Sequence, residues 1–149
     1  MSAEKTLFTR KKAVITVLAC AVLLLAAVFA GAHRSAYRLS TAEGREKFLA
    51  SLGWEIDPAS EEFHSVVIPD ELNGVMESYN EMLKAQGYDL SRHLGEKCDQ
   101  YSYILTNYPN AEGTVYVTLY IQGNSIIAGD IHSTSVSGFM HGLRMGNAG

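Results

Sequence analysis

The chain has 149 residues, with 12 Lys and Arg against 16 Asp and Glu, five His and two Cys, and 47% of it is hydrophobic. That length holds one ordinary domain and one accessory segment, and the acidic balance excludes a role built on nucleic-acid phosphates. Two cysteines exclude a disulfide framework.

The accessory segment comes first. Residues 1–12 form a basic stretch carrying Lys5, Arg10, Lys11 and Lys12. AVITVLACAVLLLAAVFAGA (residues 13–32) follows and holds no charge. As a helix rising about 1.5 Å per residue, it spans the ~30 Å hydrocarbon core of a bilayer. The cations before it predict a cytoplasmic N-terminus and an exported remainder, a single-pass signal anchor in the cell membrane. Ala30-Gly31-Ala32 also has the small-x-small form of a signal-peptidase site, so secretion after cleavage following Ala32 is the alternative. Residues 33–39 read as a juxtamembrane linker and residues 40–149 as the extracytoplasmic domain. Residues 33–149 carry eight Lys and Arg against fifteen Asp and Glu. Cys98 is the only cysteine beyond the apolar run, so it is either buried or a link between molecules.

Ser40-Thr41-Ala42-Glu43 reads as a capping box opening a helix to about Leu52, stopped by Gly53, with Phe48, Leu49 and Leu52 on its apolar face. Phe63 to Ile68 reads as a strand ending at Pro69. From Asp70, a candidate N-cap, Leu72, Val75, Met76, Tyr79, Met82 and Leu83 make a one-sided stripe. Its methionines read as core. Gly87 ends the helix, with Tyr88 placed to pack back on Leu83 in a Schellman cap.

Lys97–Tyr108, Thr114–Gln122 and Ser125–Ser133 alternate with period two, and Gly123-Asn124 supplies the positive φ of a tight hairpin. Three strands joined by short turns form an antiparallel meander. The predicted fold class is α+β: after the transmembrane helix, a small domain with two amphipathic helices packed on one face of an antiparallel sheet that ends in this meander.

YNEMLKAQGYDL (Tyr79–Leu90), YSYILTNYP (Tyr101–Pro109), GNSIIAGDI (Gly123–Ile131) and GFMHGL (Gly138–Leu143), in that order, resemble a Gram-positive bacterial family known as domain of unknown function 4830. The resemblance covers about residues 45–143. It implies an exported small α+β domain behind one N-terminal hydrophobic segment, and it implies no activity, cofactor or partner.

The candidate chemistry lies in GDIHSTSVSGFMHGL (Gly129–Leu143). An unbroken hairpin register sets Val117 opposite Asp130 and Val115 opposite His132. It aims an Asp–His pair at the helices, with His141 as a third group, an arrangement a metal or general-base site could use. Gly129 offers a second reading: a bulge there flips the later side chains, so that Ile131 enters the core with Ile126 and Ala128 while Asp130 and His132 face water. The second reading is the expectation. No cofactor or metal is expected, and Phe139 and Leu143 should close the sheet's edge with His141 as a surface or structural residue. Tyr116 and Tyr120 share the strand face opposite Val115, Val117, Leu119 and Ile121, and an open tyrosine face suits a protein or peptide partner. The function expected is thus a membrane-anchored, non-enzymatic interaction or sensing module. The alternative is a small enzyme or metal-binding protein around Asp130, His132 and His141.

Overall fold

A computed structural model of the chain describes residues 37–144. The basic segment, the apolar run of residues 13–32 and the candidate cleavage site lie outside them. Among the described residues no helix is long and apolar enough to cross a membrane.

The elements run α1 (Ala42–Ser51), β1 (Ile56–Val67), α2 (Val75–Lys84), a 3-10 turn (Leu90–Arg92), β2 (Lys97–Leu105), β3 (Val115–Gln122), β4 (Ser125–Ser133) and β5 (Met140–Gly142). The five strands form one sheet in chain order, each pair antiparallel. The α+β class and the meander are as expected. The meander is extended by β1 before it and β5 after it, and β1 begins seven residues earlier than the apolar run Phe63–Ile68 suggests.

Helix α1 is capped by Thr41, not Ser40: the Thr41 Oγ1 accepts from the Gly44 amide at 3.1 Å. Leu49 is fully buried and Phe48 and Leu52 pack beside it, as their spacing predicts. Helix α2 starts at Val75 after a Gly74 N-cap, five residues beyond Asp70, so Leu72 precedes the helix and Val75 stands exposed on its first turn. Its end is as read from sequence. Gly87 takes φ +88°, and the Tyr88 amide donates to the Leu83 carbonyl at 3.1 Å, the long bond of a Schellman cap. Buried Asn80 then ties α2 to the 3-10 turn, its Oδ1 accepting from the Leu90 amide at 2.7 Å.

The two helices do not share a face of the sheet. Leu49 of α1 joins Trp54, Tyr103, Val117, Leu119, Ile121 and Ile131 in one core. Leu83 of α2 joins Ile68, Leu90, Cys98, Ile127 and Ala128 in a second core on the opposite face. The reason is visible in β3: Val115, Val117, Leu119 and Ile121 make the first face aliphatic, while Thr118 and Tyr120 give the second face enough apolar body to be covered as well. Cys98 is buried in the second core, and burial pushes its thiol pKa up.

The first core contains a charge that pattern reading passes over. Arg45 on α1 is 3% exposed, its Nε donating to the Tyr103 hydroxyl at 2.6 Å and Nη1 to the Leu39 carbonyl at 3.0 Å. Nη2 pairs with Glu61 at 2.8 Å, and the guanidinium lies 3.6 Å from the Tyr101 ring centroid. Each of the three guanidinium nitrogens is engaged, which is what permits the burial.

The chain closes on the first face. The Trp54 indole donates to the Leu143 carbonyl at 2.6 Å, and Tyr108 stacks between Trp54 and Phe139. Leu143 is 1% exposed and Phe139 packs beside it, so the two cover the first face of the sheet and do not plug its edge, which β5 forms.

Candidate functional site

Strand β4 decides where the candidate residues point. Its register with β3 shifts once, between Tyr120 and Ile121: Ile126 faces Ile121, Ala128 faces Tyr120, and Ile127 is the extra residue. The bulge exists, but two residues before Gly129. Beyond it the pairing is regular, with Gly129 opposite Leu119, Asp130 opposite Thr118, Ile131 opposite Val117 and His132 opposite Tyr116. Ile131 therefore enters the first core beside Ile126, as the bulged reading expects, while Ala128 goes to the second core on the other face.

Asp130 does not face water, and that part of the expectation fails. Helix α2 covers the second face of β4, leaving Asp130 3% exposed. Its carboxylate is satisfied from two sides. Oδ2 accepts from the Tyr79 hydroxyl on α2 at 2.7 Å, and Oδ1 lies 2.9 Å from His132 Nδ1. A carboxylate only accepts, so Nδ1 carries the proton and Nε2 is left free to accept in the neutral ring. The bond and the charge of Asp130 raise the His132 pKa above its ordinary value, against the opposing effect of burial. His132 is half-buried and stacks on Tyr116, ring centroids 5.8 Å apart.

Gly129 has a different task from the one its position in a strand suggests. A Cβ there would stand 2.7 Å from Leu143 Cδ1 and 3.0 Å from the Thr118 carbonyl oxygen. The glycine makes room for the C-terminal segment on the first face, the other common reason for a glycine within a strand. β5 then lies beside β4, pairing Gly142 with Asp130, His141 with Ile131 and Met140 with His132. Gln86, just past α2, holds this strand by accepting from the Leu143 amide at 2.6 Å.

His141 is not brought to the Asp130–His132 pair. Opposite Ile131, it belongs to the first face, where its Nε2 lies 2.9 Å from the Tyr108 hydroxyl and its ring stacks on Phe139. It is a structural histidine, one of the two roles expected of it. Among the described residues no group of three or more His, Cys, Asp or Glu is placed to hold a metal ion.

The face of Tyr116 and Tyr120 is not open either. α2 lies across it, and Tyr120 packs against the second core. Burial pushes the Tyr120 hydroxyl pKa up to about 12, and that of Tyr79 higher still, where the neighbouring Asp130 adds to the effect. Both phenols thus remain neutral donors at physiological pH.

Between α2 and this face lies a cavity of about 660 Å³. From α2 it is lined by Met76, Tyr79 and Met82, and from the sheet by Val66, Gln100, Thr118, Tyr120, Asp130 and His132. Met140 of β5 completes the wall. Its volume falls in the range of small-molecule sites, about 300–1,000 Å³, and its makeup is theirs too: apolar walls with few convergent polar groups. At its floor the Gln100 amide donates to the Tyr120 hydroxyl at 3.3 Å, and the Thr118 hydroxyl meets that of Ser102 at 3.0 Å.

The family profile Domain of unknown function (DUF4830) matches residues 48–131, more than half of the chain. The chain belongs to this family. The match takes in α2, the bulge at Ile127 and Asp130, and stops one residue short of His132. No curated protein and no solved structure matches the chain.

Pattern reading found Asp130 and His132 but missed Tyr79, Met76 and Met82 as site residues, because a helical stripe reads as core. One signal was present: Tyr79 is the only hydroxyl-bearing member of that stripe, and a buried phenol needs a partner.

Proposed function

We propose that the chain is a membrane-anchored, extracytoplasmic sensing module that binds a small amphipathic molecule in the cavity between α2 and the sheet. Residues 13–32 supply the anchor, and the cell exterior is where the domain meets its ligand. One observation carries the reading: a 660 Å³ cavity with apolar walls ends on a hydrogen-bonded Tyr79–Asp130–His132 chain with buried Asp130 at its centre. The cavity opens to solvent past Val75 and Met140, both exposed, so a guest has a way in. The three methionines on its walls, Met76, Met82 and Met140, are adaptable side chains suited to a guest.

A second reading rests on the pair itself. Nδ1–H held by a carboxylate, with Nε2 free, is the arrangement of a general base. The binding reading is preferred because, among the described residues, His132 makes its only hydrogen bond to Asp130 and no serine, threonine or cysteine bonds to it.

Native mass spectrometry of the full chain released from its own membranes tests the reading. The expected result is a bound small organic molecule, absent from a Met76→Trp variant that fills the cavity. A wild-type protein that carries none and that takes up a hydrophobic probe no better than Met76→Trp would overturn it.

A further inference from the structure

The walls of the cavity hold no lysine or arginine. Their acid–base groups are Asp130, His132, Tyr79 and Tyr120, and once pH is above the raised pKa of His132 the one full charge among them is the Asp130 carboxylate. With Nδ1–H turned to Asp130, neutral His132 offers Nε2 as an acceptor, so its presented valence is also that of a base. Each Asp130 oxygen is engaged once, by His132 and by Tyr79, and a carboxylate has about four acceptor sites in all. The aromatic side chains of Tyr79 and Tyr120 stand in the same wall. An anionic head would meet no permanent cation here and would stand beside a buried carboxylate. A cationic head would meet the carboxylate, a free imidazole nitrogen and two aromatic side chains in surroundings that weaken water's screening.

Resting on the binding reading above, we infer that the ligand of this cavity is an organic amine: an apolar body seated between α2 and the sheet, with its ammonium group at Asp130. His132 sets the pH response. Protonated, it neutralises Asp130 internally and competes with the ligand's cation; neutral, it leaves the carboxylate to the ligand. The groups facing it are Asp130 on its own strand, Tyr116 and Tyr120 from β3, Tyr79 from α2 through Asp130, and the untitratable Met140 from β5. Burial keeps the Tyr79 and Tyr120 phenols neutral across the range concerned, and the change of charge is placed on His132.

The test uses the full chain in lipid nanodiscs with 4-phenylbutylamine, 4-phenylbutanol and 4-phenylbutyrate, three probes that differ only in the head. Calorimetric titration is read against empty discs. At about pH 8.5, where an alkylamine is still cationic, the amine should bind on the order of tenfold more tightly than either of the others. That advantage should shrink at about pH 5.5. His132→Gln should keep the preference for the amine and lose its pH dependence, and Asp130→Asn should abolish the preference. Should Asp130→Asn fail to fold, the His132→Gln arm decides by itself. Equal binding of the alcohol or the carboxylate at the higher pH, or an amine preference that survives in folded Asp130→Asn, would overturn the inference and leave the cavity reading standing. No probe bound above empty discs would sink both.

Discussion

The Tyr79 hydroxyl and the Asp130 carboxylate meet at 2.7 Å, joining α2 to β4 across 51 residues of chain. Removing the hydroxyl leaves a 3%-exposed carboxylate with one hydrogen-bond partner fewer. Tyr79→Phe should cost about 1.5–3 kcal/mol in denaturant unfolding, the range for hydrogen bonds to charged groups. Tyr116→Phe, on a half-buried ring stacked beside His132, should change stability by less than about 0.5 kcal/mol. Equal effects in the two variants would show that the Tyr79 bond contributes nothing.

His132 makes stability depend on pH in a direction the linkage relation dictates. Its pKa is raised in the folded protein above the ordinary 6.5, so the folded state binds its proton more tightly than the unfolded chain does. The contribution is fully present below about 6.5 and is lost as pH rises through the raised value. The stability gap between wild type and His132→Gln should therefore widen as pH is lowered from about 8.5 to 6.5, then stay level. A pKa below 6.5 for the His132 ring by NMR titration would contradict the Asp130 bond.

Gly129 and Leu143 form a coupled pair. Gly129→Ala sets a methyl group against the Leu143 side chain and the fixed Thr118 carbonyl, and should destabilise by about 1–3 kcal/mol, as overpacking does. Leu143→Ala should cost about 2–5 kcal/mol through the cavity it opens. Combined, the two should cost less than their sum, because the smaller residue at 143 relieves the clash. Strict additivity would mean that Leu143 does not press on Gly129.

Arg45 should be among the most sensitive positions of the first core. Arg45→Ala strips partners from Glu61, Tyr103 and the Leu39 carbonyl together, and should cost about 3–5 kcal/mol. Lys47→Ala removes an exposed i,i+4 pair with Glu43, and thermal unfolding should show little change.

Topology is open to direct measurement. If residues 33–149 lie outside the cell, as proposed, added protease should remove the domain from intact cells, and an impermeant maleimide should label Cys98 only after unfolding, since the thiol is buried. Complete protection of the domain from external protease would reverse the orientation, and a mature N-terminus at His33 would replace the anchor by a cleaved signal.

The sequence by itself determined the two helices, the three meander strands and much of the first core. Period-two alternation marks β2, β3 and β4 to within a few residues, because a half-buried strand must alternate. Gly87 and Tyr88 mark the end of α2, since a left-handed turn admits glycine with little strain. Tertiary structure alone decided which face each helix covers, and from that followed the burial of Asp130 and the cavity. Tyr116, Thr118 and Tyr120 suit water or a helix equally well, so the pattern of β3 is silent on the choice. The bulge was equally hidden. Gly129 looked like its site, but that glycine answers a side chain fourteen residues away, while Ile127 takes the extra position because its side chain can settle in the second core. A local pattern registers which way a side chain can point. What waits there is set by segments distant in the chain, here α2 above Asp130 and Leu143 against Gly129.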